Sequence, residues 1–152
     1  MKTIIRILFV LILFIITSLA CSIHPDDFFV NTIFTVSGIM FSVGLGLIVT
    51  FNIGGIKNKK YIKLLRGNID RVRNSFLKYF LISTVCFTVD YYLRQKGLNI
   101  TAIKIKDTHF ELNWSVLFCL LMLYSIVYYI INFIAIQKLN NDIFDKANEQ
   151  DN

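Results

Sequence analysis

Few residues in this chain have both the type and the spacing to do chemistry. The candidates are two histidines (His24, His109), three cysteines (Cys21, Cys86, Cys119) and scattered carboxylates. The cysteines form no Cys-x-x-Cys pair, and each lies in or at the edge of an apolar run, so neither a zinc site nor a disulfide framework is expected. No helical His-Glu-x-x-His pattern occurs. Gly38, Gly46 and Gly54 fall, with Ser42 and Thr50, on a four-residue step inside an apolar run, which is not the pattern of a phosphate-cradling loop. His24, Asp26, Asp27, Asp90, His109 and Glu111 can be assembled on paper into one cluster, but their spacing does not require it. Asp26 and Asp27, directly after Pro25, fit the first turn of a helix, where carboxylates meet free N–H groups. The reading is of no catalytic residue, no metal and no cofactor: not an enzyme.

One polar pair stands out. Tyr79–Val89 gives 11 uncharged residues and then Asp90, with Arg94 one helical turn further on. An ionisable residue inside an apolar helix is a functional hypothesis by default. The plainer reading is an interfacial Asp90–Arg94 pair flanked by an aromatic belt at Tyr91 and Tyr92. The sharper one is a ring of Asp90 carboxylates at the outer mouth of a pore. Asn132, alone in a fourth apolar run, is expected to hydrogen-bond across helices.

The elements that must hold these residues are membrane helices. The chain has 152 residues, of which 55% are apolar and only 17% charged, a composition between a soluble domain and a pure membrane bundle. Four spans are predicted, at 4–23, 28–53, 76–93 and 113–137. The first follows Lys2 and Arg6 and ends on Ser18-Leu19-Ala20-Cys21, so it reads either as a retained helix, which we prefer, or as a lipoprotein signal cleaved at Cys21. The second opens 29 residues without a charge, Phe28–Ile56. Along it Gly38, Ser42, Gly46, Thr50 and Gly54 recur every fourth position, a small-residue row that lets helix backbones approach closely. That row packs either inside one monomer or between copies in a homo-oligomer.

A basic amphipathic segment follows. Residues 57–78 carry eight basic residues (Lys57, Lys59, Lys60, Lys63, Arg66, Arg71, Arg73 and Lys78) against Asp70. Ile62, Leu65, Ile69, Val72 and Phe76 recur with the three-four spacing of a helix that packs on another helix. The third helix therefore starts near Lys60 and runs on into the span, with Gly67 as a candidate break. The basic face is read as lipid-facing or as a dock for an acidic cytoplasmic protein, and not as a nucleic-acid site, because it adjoins membrane segments. Ile136, Leu139 and Ile143 carry the fourth helix's apolar face into an acidic tail, 138–152, expected to pack antiparallel on the basic segment. In the outer loop, 94–112, a strand-like Ile100–Lys106 can pair with His109–Leu112 as a small hairpin. Twelve Lys and Arg fall on one side of this topology and four on the other, which predicts both termini inside.

The plan resembles the small four-helix membrane proteins of bacterial anti-phage systems, such as the Rex exclusion and Kiwa membrane subunits. The resemblance rests on a short acidic outer loop (His24-Pro25-Asp26-Asp27), a Gly/Ser-containing helix (Gly38-Ile39-Met40-Phe41-Ser42) and a basic linker (Lys57-Asn58-Lys59-Lys60) into a third span. It covers the chain as architecture. It implies an oligomeric component of a bacterial inner membrane, coupled to a cytoplasmic partner and able to disturb the membrane potential. Two other classes compete: an immunity or assembly protein that binds another membrane protein laterally, and a small channel or transporter.

Overall fold

The computed structural model describes residues 2–20, 24–50, 59–105 and 108–149. Their order is α1 (Lys2–Ala20), α2 (Asp27–Val49), α3 (Lys59–Gln95), β1 (Ile100–Ile105), β2 (Thr108–Asn113) and α4 (Trp114–Glu149). Among the described residues three helical stretches, Asp27–Val49, Leu65–Gln95 and Trp114–Asp142, are long and apolar enough to cross a membrane. Of α1, the side chains described form a shorter apolar helix, Leu8–Ser18. At 1.5 Å per residue α3 and α4 are each about 55 Å long, well beyond a hydrocarbon core of about 30 Å.

Local chemistry sets the ends. The Asp26 carboxylate accepts the Phe29 N–H at 2.7 Å and so caps α2. Helix α3 runs unbroken through Gly67. It stops where Gly97 takes a positive φ of 65°, with the Leu98 N–H bonded to the Leu93 carbonyl and the Gly97 N–H to that of Arg94. This is the paired hydrogen bonding of a Schellman cap, which glycine reaches without strain. The hairpin expected between 100 and 112 is present, β1 antiparallel to β2 with Ile100 opposite Asn113 and Ile105 opposite Thr108. Asn113, expected at the start of the fourth span, belongs to β2. The Trp114 N–H bonds the Asn99 carbonyl, so the hairpin closes directly onto α4.

Helices α2, α3 and α4 pack on one another, while α1 packs on α4 and β2. Two core clusters result. Nearer the hairpin lie Val30, Ile33, Cys86, Cys119 and Met122. Nearer the opposite end lie Ile48, Phe76, Tyr129 and Ile136, with Ile69 and Val72 against them. The seam read at Ile62, Leu65, Ile69, Val72 and Phe76 is thus the inward face of α3, with Leu65 and Phe76 fully buried. A heptad-like pattern dictates this, because only one stripe of a helix can meet its neighbour.

Aromatic rings fill the interior. Phe34 stacks on Phe87 at 4.3 Å and Phe41 on Phe80 at 4.2 Å. Tyr79 lies 4.1 Å from Tyr128 and 5.8 Å from Tyr124, while the Phe76 and Tyr129 rings meet edge-on at 5.0 Å. Offset and edge-on pairs of this kind add packing energy beyond the area they cover.

Candidate functional site

The polar residues gather at the hairpin end. Asp90 on α3 is almost fully buried, and its Oδ2 accepts the Arg94 Nε–H at 2.7 Å. Arg94 reaches further than the sequence pairing implied. Its Nη1 donates to the Pro25 carbonyl at 2.7 Å and to the Asp27 carboxylate at 3.2 Å. One guanidinium therefore ties the entry of α2 to the outer turn of α3, a use of the planar fork that a lysine could not make. Asp26, by contrast, caps its own helix. His24 lies 3.9 Å from Glu111, both half-exposed, which links the loop before α2 to the hairpin. The His109 side chain is outside the described residues. Among the described residues no group of three or more His, Cys, Asp and Glu side chains is placed to hold a metal.

A second polar joint holds α1. The Ser18 hydroxyl, buried, donates to the Glu111 carbonyl at 3.2 Å and accepts the Asn113 N–H at 3.0 Å. Phe14 stacks on Trp114 at 6.1 Å, and the Trp114 indole N–H donates to the Thr101 hydroxyl at 2.9 Å. In the middle of the bundle Ser37 of α2 donates to Ser83 of α3 at 3.4 Å, and the Tyr129 hydroxyl to the Phe76 carbonyl at 3.4 Å. Both bonds cross from one helix to another. Asn132, expected to make one, donates instead to the Tyr128 carbonyl of its own helix at 2.8 Å.

The small-residue row on α2 is split by geometry. Four residues exceed a 3.6-residue turn, so each step rotates the row by about 40° around the helix. Gly38 is half-buried, near Phe80, whereas Ser42, Gly46 and Thr50 are exposed. A Cβ at Gly46 would meet nothing within 4 Å. Gly54 is outside the described residues. The inward row is Val30, Ile33, Ser37, Gly44 and Ile48. There a Cβ on Gly44 would run into the Phe76 ring, which would have to shift.

Because the α3 seam faces inward, its basic residues face outward: Lys63, Arg66, Arg71 and Arg73 are all exposed. Asp70 pairs with Arg73 at 3.1 Å on the same helix. Lys59 and Lys60 lie on α3 with side chains outside the described residues, and Lys57 is outside them altogether.

Ser37 and Gly44 were not singled out from sequence, and Ser18 was read only as part of the Ser18-Leu19-Ala20-Cys21 stretch. Ser37 and Gly44 left a signal, as the small members of an inward row with three-four and seven-residue spacing. The chain matches no family model, and neither a curated protein nor a solved structure matches it. What fold and site define is a class: a helical protein with three helices fit to cross a membrane, capped at one end by a hairpin and an Asp90–Arg94 joint.

Proposed function

We propose that this chain is a multi-pass protein of a bacterial inner membrane that assembles into a homo-oligomer through α2 and couples to a cytoplasmic partner. The reading has α1 as a fourth crossing, both termini inside and the hairpin outside. It is an effector or sensor of the defence type, and its assembled state perturbs the membrane potential. The observation that carries it is the outward face of Ser42, Gly46 and Thr50. Lipid gains nothing from glycine, whereas a second helix gains close backbone contact. Two further features support the reading. The Ser18 joint and the Phe14–Trp114 stack build α1 into the fold. The 57–78 segment carries a net +7 and the 138–152 tail only −2, so the basic face keeps most of its charge for lipid headgroups or an acidic partner.

The test is disulfide crosslinking in native membranes of a Gly46→Cys variant on a Cys21→Ser background, together with a potential-sensitive dye. The proposal expects a crosslinked dimer and a depolarisation that Gly46→Leu abolishes. A chain that stays monomeric at position 46 while depolarising normally would overturn the α2 seam. Crosslinking of position 46 to a different membrane protein would favour the lateral-binder reading.

A further inference from the structure

The Asp90–Arg94 joint leaves polar atoms over. Asp90 Oδ1, Arg94 Nη2 and Ser115 Oγ are buried and have no hydrogen-bond partner among the described residues. The first two belong to one ion pair, because Arg94 meets Asp90 through Nε and Oδ2 while its Nη1 is drawn away to Pro25 and Asp27. The register of the two helices places Ser115 opposite this pair. Helices α3 and α4 run antiparallel in step: Phe76 meets Tyr129, and ten residues on in one helix and ten back in the other Cys86 and Cys119 share a core cluster. One more turn towards the hairpin brings Asp90 and Ser115 into line. Cys119, one turn below Ser115, lies within electrostatic reach of both Asp90 and Arg94.

The free Ser115 hydroxyl also has a cause. Thr32, Ser42, Thr84, Thr88 and Ser125 each donate to the carbonyl four residues back in their own helix. For Ser115 that carbonyl is Glu111, which lies in β2 and already accepts the Ser18 hydroxyl. The start of α4 therefore delivers a hydroxyl with no local partner to a wall that already holds an unpaired carboxylate oxygen and an unpaired N–H. Buried polar atoms are paired in the great majority of cases, and a group of three calls for an occupant.

We propose that these three atoms form a closed site for one water-sized neutral molecule, and that the molecule is water. The chemistry selects it. A cation would meet the Arg94 guanidinium and an anion the Asp90 carboxylate, each at contact distance in a poorly screened interior. The set offers one acceptor, one donor and one hydroxyl that does either, which matches a water's own two donors and two acceptors. Three polar partners are the usual complement of a buried water. Held there, the water joins α3 to α4 just as Arg94 joins α3 to the entry of α2.

The experiment is water-edited solid-state NMR on the full chain in lipid vesicles, with carbon-labelled aspartate and serine. Asp90 is assigned by its disappearance in Asp90→Asn. Polarisation from water is expected at the Asp90 carboxyl well before it reaches Ser83 in the middle of the bundle. In Ser115→Ala, which alters a single hydroxyl and keeps the fold, that transfer should slow. Arrival at Asp90 no earlier than at Ser83 would overturn the site. So would an unchanged transfer in Ser115→Ala, which means access from bulk solvent past Arg94. A shift of the Asp90 signal when sodium is exchanged for potassium, or chloride for sulfate, would replace water by an ion and equally overturn it.

Discussion

Gly44 and Gly46 stand two residues apart on α2 and face opposite ways, so the same small change at each should have opposite results. A Cβ at position 44 collides with Phe76, which is completely buried and held edge-on against Tyr129. Overpacking of this kind costs about 1–3 kcal/mol, because the ring must leave its rotamer or the helices must part. Alanine returns up to about 1 kcal/mol through helix propensity, so Gly44→Ala should lose about 0–2 kcal/mol net. At position 46 nothing stands within 4 Å, and only the propensity gain of up to about 1 kcal/mol remains for the monomer. A double-mutant cycle locates the cause. In a Phe76→Leu background the Gly44→Ala penalty should shrink, while the effect at Gly46 should not change. Stability is read by reversible unfolding in bicelles, in dilute conditions where the chain is monomeric. Equal effects at the two glycines, or a Gly44 penalty indifferent to Phe76→Leu, would refute the packing argument.

Other expectations follow from the polar joints. Asp90→Ala takes the Nε–H of Arg94 from its carboxylate while Pro25 and Asp27 still hold Nη1, and should cost about 1–3 kcal/mol, measured by the same unfolding. Exchanging Asp90 and Arg94 should not rescue it, since the new arginine loses Pro25 and Asp27; full stability in the swap would show that those contacts are idle. Ser18→Ala removes the hydroxyl that bridges the Glu111 carbonyl and the Asn113 N–H, a loss of about 1 kcal/mol. It should also make α1 more sensitive to protease, and an unchanged digest would mean that α1 is held by other contacts. Gly67→Ala meets open space and should stabilise α3 by up to about 1 kcal/mol, against a loss if the helix needed a break there.

Much of this architecture was legible in the chain, for identifiable reasons. Apolar runs and the three-four spacing of Ile62 to Phe76 report a helix and its buried face directly, because burial demands one stripe. Alternation between Ile100 and Lys106 reported the hairpin. Asp90 and Arg94 were legible as a local pair four residues apart, but Arg94's reach to Pro25 and Asp27, some 67–69 residues away, was not. Asn132 misled for the opposite reason: its carbonyl partner was already at hand in its own helix. The inward glycine was masked by the more regular row at Gly38, Ser42, Gly46 and Thr50, whose four-residue step looks like a face but winds around the helix. Serines were missed throughout, since a hydroxyl that joins two elements looks the same in sequence as one that bonds its own backbone.

The central claim is that the outward row on α2 joins copies of this chain. The direct measurement is the mass of the purified protein in lipid nanodiscs, for the natural sequence and for Gly46→Leu. The account predicts a defined multiple of the 17.6 kDa chain that falls to one or two copies in the variant. A single-copy mass for both, or the same multiple for both, would contradict it.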